Sequence, residues 1–89
     1  MNLEKGKLKY LLKYDVWQII DTDGNTYDTN SFGLEMAIKV FNYYRPCQIL
    51  YNENESYWYA EFIDFSFILN KSFTYQVEFQ IEEDLMFPF

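Results

Sequence analysis

Side chains that could perform catalysis are scarce in this 89-residue sequence. It contains no histidine, which is the commonest general base and metal ligand of enzymes. Cys47 is the single cysteine, so it can form neither an internal disulfide nor a thiolate zinc site, and it would lack an imidazole partner as a nucleophile. Arg45 is the one arginine available to clamp a phosphate or carboxylate. The sequence therefore predicts a protein that is not an enzyme.

The motifs that might hold a ligand are also incomplete. The three glycines stand at positions 6, 24 and 33, too far apart for a phosphate-binding loop. The segment from Asp21 to Asn25 resembles a calcium loop, but its glycine is the fourth residue where an EF-hand has it sixth. A hydrolase built on two carboxylates stays formally open, although so short a chain seldom encloses the necessary cleft. We expect an ordinary turn here, no metal and no cofactor.

Charge is distributed unevenly along the chain, whose formal net charge is −7. Residues 1–45 contain six acidic and six basic residues, whereas residues 46–89 contain eight acidic residues and one lysine, Lys71. The negative excess therefore belongs to the second half. It repels a phosphate backbone and complements a basic surface, so we predict a protein partner with a basic surface and no direct binding of nucleic acid. A solvated face that only aids solubility is the alternative.

Aromatic residues accompany these acids, and Phe, Tyr and Trp make up 22% of the sequence. Exposed tyrosine and tryptophan supply contact area and hydrogen-bonding groups at protein interfaces. If the last strands form a meander, acids on neighbouring strands create a continuous negative field. The candidate partner-binding residues are Glu53, Glu55, Tyr57, Trp58, Tyr59, Glu61, Asp64, Glu78, Glu82, Glu83 and Asp84.

The elements that must position these residues are predicted to form an α+β fold: a single antiparallel sheet of about five strands with one amphipathic helix packed on one face, in the order ββαβββ. Residues 7–21 alternate as a half-buried strand does, with a bend or bulge near Tyr14 and Asp15, and a helix over residues 8–14 is the competing interpretation. Asp23 and Gly24 predict a hairpin with a tight primed turn. Three lysines of the first strand, at positions 7, 9 and 13, are expected to protect a sheet edge from aggregation.

The helix is predicted over residues 31–44, with Ser31 or Asn30 as its N-cap and Pro46 as its terminator. Its apolar face would consist of Met36, Ala37, Val40, Phe41 and Tyr44. Phe41 is then a core residue whose replacement by alanine should cost about 3–5 kcal/mol.

Residues 48–51, 56–69 and 72–82 are predicted to form an antiparallel meander, whose last strand shows the most regular alternation. The acidic and then apolar segment 83–89 should either cover the core or dock elsewhere.

Length and composition predict one domain spanning residues 1–89. One cysteine, no apolar run of signal-peptide type and no long apolar stretch indicate a cytoplasmic protein with no membrane association. Abundant Phe, Tyr, Ile, Asn and Lys correspond to AT-rich codons, which favours a bacterial host cell and a phage or other mobile element as the source.

Two functions of different class fit these observations. The first is a small acidic inhibitor that blocks a bacterial defence protein, such as a CRISPR effector, or a nuclease by occupying its basic nucleic-acid-binding surface as a nucleic-acid mimic. The second is a structural or assembly protein that forms a homo-oligomer through its aromatic sheet and apolar C-terminal tail.

Overall fold

The computed structural model describes residues 3–81 as an all-β fold in which eight antiparallel strands form one sheet. The strands are β1 (Glu4–Leu11), β2 (Val16–Asp21), β3 (Thr26–Asp28), β4 (Leu34–Val40), β5 (Tyr43–Asn52), β6 (Tyr57–Glu61), β7 (Ser66–Ile68) and β8 (Tyr75–Ile81). Their order across the sheet is β3-β2-β1-β8-β4-β5-β6-β7. Residues 3–81 contain no helix, so the prediction of an α+β fold with about five strands and one helix is wrong.

The segment predicted to be helical forms β4, a turn at Phe41 and Asn42, and the start of β5. Its apolar residues satisfy a strand period as well as a helical one, since Met36 and Ile38 are buried while Glu35 and Lys39 point to solvent. Pairing of β4 with both β5 and β8 favours the strand over the helix, because a central strand gains two ladders of hydrogen bonds. Phe41 lies in the turn and is 93% exposed, so it is not a core residue.

Pro46, the predicted helix terminator, lies within β5. At this level β5 pairs with β4 alone, because its pairing with β6 begins only at Gln48. Proline is tolerated where one side of a strand is unpaired, since its missing N–H then removes no ladder bond. The ten-residue β5 thus joins β4 with its first half and β6 with its second half.

The first predicted strand is in fact a hairpin of β1 and β2 that reverses at residues 12–15, where Asp15 has a φ of 52°. The predicted reversal at Gly24 is present, and its φ of 89° is one that glycine accepts readily. The predicted primed turn needs a positive φ at both Asp23 and Gly24, and Asp23 does not have one, so the turn is of another type. Instead, the Gly24 N–H donates to the Asp21 carbonyl and the Asp21 N–H to the Asn25 carbonyl.

The second half of the chain forms a meander only as far as β7. The single strand predicted over residues 56–69 is divided into β6 and β7 by a turn in which the Phe62 N–H donates to the Phe65 carbonyl at 2.8 Å. The last strand, β8, then crosses to the middle of the sheet and pairs with β1 and β4. The predicted pairing of the last strand with its predecessor is therefore wrong.

The inner faces of all these strands enclose one hydrophobic core, because the sheet curls on itself. Phe67 of β7 and Tyr75 of β8 lie four positions apart in the strand order, yet their ring centroids are 6.0 Å apart. The most deeply buried side chains come from β1, β2, β4 and β8, and they are Leu8, Trp17, Ile19, Ile38, Val77 and Phe79. The outer face of the sheet, including that of β6, points away from this core. Residues 3–81 contain no helix that is long and apolar enough to cross a membrane.

Candidate functional site: an acidic rim around a tyrosine patch

The candidate site is built on β6, where alternation separates three adjacent aromatic residues. Tyr57 and Tyr59 lie on the outer face, and their ring centroids are 5.9 Å apart in an edge-to-face arrangement. Trp58 lies between them on the inner face with fully buried Ala60, and it packs against the core. All three side chains are half-buried, but only the two tyrosines face outward.

Residues of the neighbouring strands extend this surface on both sides. Tyr59 lies opposite Leu50 of β5 and opposite Ile68 of β7. Ile68 is 61% exposed although it is aliphatic. We call the surface formed by Leu50, Tyr57, Tyr59 and Ile68 the tyrosine patch. Leu50 and Ile68 were not predicted to belong to this surface, and for Ile68 the reason is that residues 56–69 form two strands rather than one, which places Ile68 beside Tyr59.

Acidic side chains lie at both ends of the tyrosine patch. Glu53 and Glu55 are in the turn between β5 and β6, and Glu61 ends β6. All three are exposed. No lysine or arginine occurs from residue 46 to residue 70, and Arg45, which reaches this part of the chain, is paired with Asp64. We call Glu53, Glu55 and Glu61 the acidic rim.

The turn that carries the first two members of the acidic rim is held by Asn52. Its side-chain oxygen accepts from the Glu55 N–H at 3.1 Å, and its amide nitrogen donates to the Tyr57 hydroxyl at 3.2 Å. The Ser56 N–H donates to the Asn52 carbonyl at 2.7 Å, which requires Ser56 to adopt a φ of 59°. One asparagine thus fixes both an acidic turn and a tyrosine of the patch.

Two of the other predicted acids, Asp64 and Glu78, are engaged by basic side chains. Asp64 accepts two hydrogen bonds of 2.9 Å from Arg45 Nη2, and this guanidinium holds the pKa of Asp64 below its usual value. Glu78 accepts a hydrogen bond of 2.7 Å from Lys5, on a strand separated from β6 by β4 and β5. Glu82, Glu83 and Asp84 lie outside the described residues. Within residues 3–81 the acidic rim therefore consists of Glu53, Glu55 and Glu61.

In the loop that resembles a calcium site, the Asp21 carboxylate is engaged by hydrogen bonds from the protein itself. The buried Asp21 carboxylate accepts from the Asp23 and Asn25 backbone N–H groups at 2.9 Å and from the side chains of Asn25 and Tyr27 at 3.1 and 3.0 Å. Burial favours the neutral acid, but these donors outweigh it and lower the pKa of Asp21. Among residues 3–81 no group of three potential ligand side chains is placed to hold a metal ion.

Cys47 is half-buried on β5 and packs against the core. Burial raises the pKa of its thiol to about 11, because the thiolate is poorly solvated there. At neutral pH the side chain is therefore a protonated thiol, which is a weak nucleophile.

Comparison of the chain with protein-family models, with curated proteins and with solved structures finds no match. The tyrosine patch and its acidic rim therefore have to be interpreted from their own geometry.

Proposed function

We propose that this protein is a small inhibitor that binds a basic, nucleic-acid-binding surface of another protein, such as a bacterial defence protein or a nuclease, through the tyrosine patch and the acidic rim. The observation that supports this proposal is the placement of half-buried Tyr57 and Tyr59 and exposed Ile68 on one outer face between acidic side chains, in a stretch of sequence with no basic residue. Such a surface offers both contact area and charge complementarity to a basic partner.

Each part of the surface has a separate role in binding. The acidic rim attracts the partner over about 8 Å at physiological salt and accelerates association. The tyrosine patch supplies rigid rings with few rotamers, whose burial slows dissociation. The edge-to-face contact between Tyr57 and Tyr59 orders both rings before the partner arrives, which lowers the entropic cost of binding.

Self-association, the second hypothesis, is less well supported by the same surface. Two copies meeting through their tyrosine patches in a symmetric dimer would bring two acidic rims together, and like charges oppose that contact. The sheet edges β3 and β7 have three residues each, which is short for pairing between copies.

The proposal is tested by affinity capture from bacterial lysates at about 0.05 M and about 0.5 M salt. Wild type is compared with Glu53→Gln/Glu55→Gln/Glu61→Gln, which neutralises the acidic rim. The matched control is Glu4→Gln/Asp23→Asn/Glu35→Gln, which removes three exposed charges from elsewhere in the described structure. We expect nucleic-acid-binding proteins to be enriched at low salt by wild type and by the control. Equal capture by the rim variant would contradict the proposal.

A further inference from the structure

A row of lysines on the outer face of β1 has no part in the proposed inhibitor surface. Lys5, Lys7 and Lys9 alternate with the inward-facing residues Gly6 and Leu8, so all three point to solvent on one side of the sheet. Consecutive members of the row are about 6.6–6.8 Å apart along the strand. Like charges at this spacing repel one another, so the row destabilises the fold unless something compensates for it.

Edge protection, which the sequence suggested, does not account for this row. The strand β1 is central, since it pairs with β2 on one side and with β8 on the other. Lys7 lies where β1 is paired on both sides, so charge is not needed there to prevent aggregation, and Lys9 lies one residue beyond the pairing with β8. The prediction that Lys7, Lys9 and Lys13 guard an edge strand is wrong, because β1 is not at an edge of the sheet and Lys13 lies in the turn after it.

The neighbours of the row neutralise Lys5 but not Lys7 and Lys9. Lys7 lies opposite Ile20 and Gln76, and Lys9 lies opposite Gln18. Within residues 3–81 neither lysine forms an ion pair, whereas Lys5 is paired with Glu78 at 2.7 Å. The carboxylates on the adjoining strands have other partners, because Glu78 is paired with Lys5, Asp21 accepts four hydrogen bonds and Asp28 accepts one from Gln18 at 3.3 Å. The chain has 14 acids and 7 bases, yet the residues paired with Lys7 and Lys9 are all uncharged.

The lysines line a groove of about 710 Å³ on this face. Its remaining polar lining comprises the hydroxyls of Thr22, Thr74 and Tyr44, the amide of Gln76 and one acid, Asp21, whose carboxylate already accepts four hydrogen bonds. Lys5 Nζ also lies 4.1 Å from the centroid of the Tyr44 ring, which holds this end of the groove in place. The volume is in the range of small-molecule sites.

We propose that this groove binds a small phosphorylated ligand, with Lys7 and Lys9 as its phosphate-binding residues. Ammonium groups form charge-assisted hydrogen bonds with phosphate oxygens, and the threonine hydroxyls and glutamine amide add neutral ones. A small ligand fits better than a nucleic-acid strand. A strand long enough to leave the groove would meet the field of a chain with net charge −7, whereas a compact ligand experiences mainly the local lysines.

The test is a titration of ¹⁵N-labelled protein with ATP, followed by NMR, with the dissociation constant measured by calorimetry. We expect amide shifts confined to the groove-facing parts of β1, β2 and β8. The variant Lys7→Gln/Lys9→Gln should raise the dissociation constant at least tenfold, roughly the value of one charge-assisted hydrogen bond. The control Lys13→Gln/Lys71→Gln removes the same charge from outside the groove and should bind as wild type does.

Three results would overturn the proposal: no shift at about 10 mM ATP, an affinity unchanged in Lys7→Gln/Lys9→Gln, or tighter binding of a short oligothymidylate than of ATP. Thermal melts of both variants establish that they are folded, which is expected because all four replaced lysines are exposed. None of these substitutions touches the tyrosine patch or the acidic rim, so the outcome is independent of the proposed inhibitor function.

Discussion

The hydroxyl of Tyr27, the middle residue of β3, donates a hydrogen bond of 3.0 Å to the buried carboxylate of Asp21 at the end of β2. The Tyr27 ring also packs 4.9 Å, centroid to centroid, from fully buried Phe79. The β2–β3 turn is thereby tied to the core through a single carboxylate. Its protonation state should therefore affect the stability of the whole fold.

We expect acid to destabilise the protein partly through Asp21. Because its pKa is lower when folded than when unfolded, the carboxylate stabilises the fold above the unfolded value of about 3.9, and this contribution is lost as pH falls through the folded pKa. Asp21→Asn should lower the melting temperature at pH 7 and flatten its decrease between about pH 5 and pH 2. Asp23→Asn, an exposed change in the same turn, is the control for thermal melts. A variant as stable as wild type at pH 7 would contradict this account.

Phe41→Gly should stabilise the protein, which reverses the expectation from sequence. The side chain is 93% exposed and the residue has a φ of 58°, a backbone conformation that costs a non-glycine residue about 1–2 kcal/mol. After subtraction of the backbone entropy of glycine, the net gain should be about 0.5–1 kcal/mol by chemical denaturation. Phe79→Ala, at a fully buried position, should instead lose about 3–5 kcal/mol. A loss of stability above about 1 kcal/mol in Phe41→Gly would contradict an exposed Phe41 with a positive φ.

Gly6 and Gly24 should both reject alanine, for different reasons. A Cβ at Gly6 would lie 2.8 Å from the Ile20 carbonyl oxygen and 3.1 Å from a ring carbon of Phe79, so Gly6→Ala should cost about 1–3 kcal/mol through overpacking. A Cβ at Gly24 would meet nothing within 4 Å, and only its φ of 89° resists substitution. Asparagine, which tolerates positive φ, should therefore be milder than alanine at position 24 but not at position 6. Equal losses for alanine and asparagine at position 24 would contradict the backbone explanation.

Cys47 should react slowly with iodoacetamide in the native protein. Burial raises the pKa of its thiol to about 11, so little thiolate exists at pH 8. Unfolding in guanidinium exposes the thiol and should increase the alkylation rate by well over about tenfold, as followed by mass spectrometry. Similar rates in both states would show that the thiol is accessible in the folded protein.

The sequence predicted strands correctly where one alternation is unambiguous and failed where two periods coexist. The segment 72–82 contains β8, because Tyr75, Val77 and Phe79 alternate with polar residues and allow no helical face. Residues 34–40 also alternate, but Met36, Ala37 and Val40 fit a helix equally well, and only pairing with distant β8 decides between them. Such long-range pairing is not visible in local periodicity.

The part of the candidate site that lies within one hairpin was predicted, whereas the part that depends on long-range contacts was not. Glu53, Glu55, Tyr57, Tyr59 and Glu61 lie on one surface because they share a single hairpin. Trp58 could have been separated from its neighbours by alternation alone, since adjacent strand residues face opposite sides. The ion pairs that engage Asp64 and Glu78 depend on partners 19 and 73 residues away, which no local pattern reveals.

The most direct test of the inhibitor proposal uses the partner obtained by affinity capture and a fluorescent oligonucleotide bound to it. The proposal predicts that wild-type protein displaces the oligonucleotide, that Glu53→Gln/Glu55→Gln/Glu61→Gln needs at least about tenfold more protein, and that the difference shrinks at about 0.5 M salt. Tyr57→Ala/Tyr59→Ala should be as weak as the rim variant but without its salt dependence. Simultaneous binding of the protein and the oligonucleotide to the partner would contradict the claim that they share one surface.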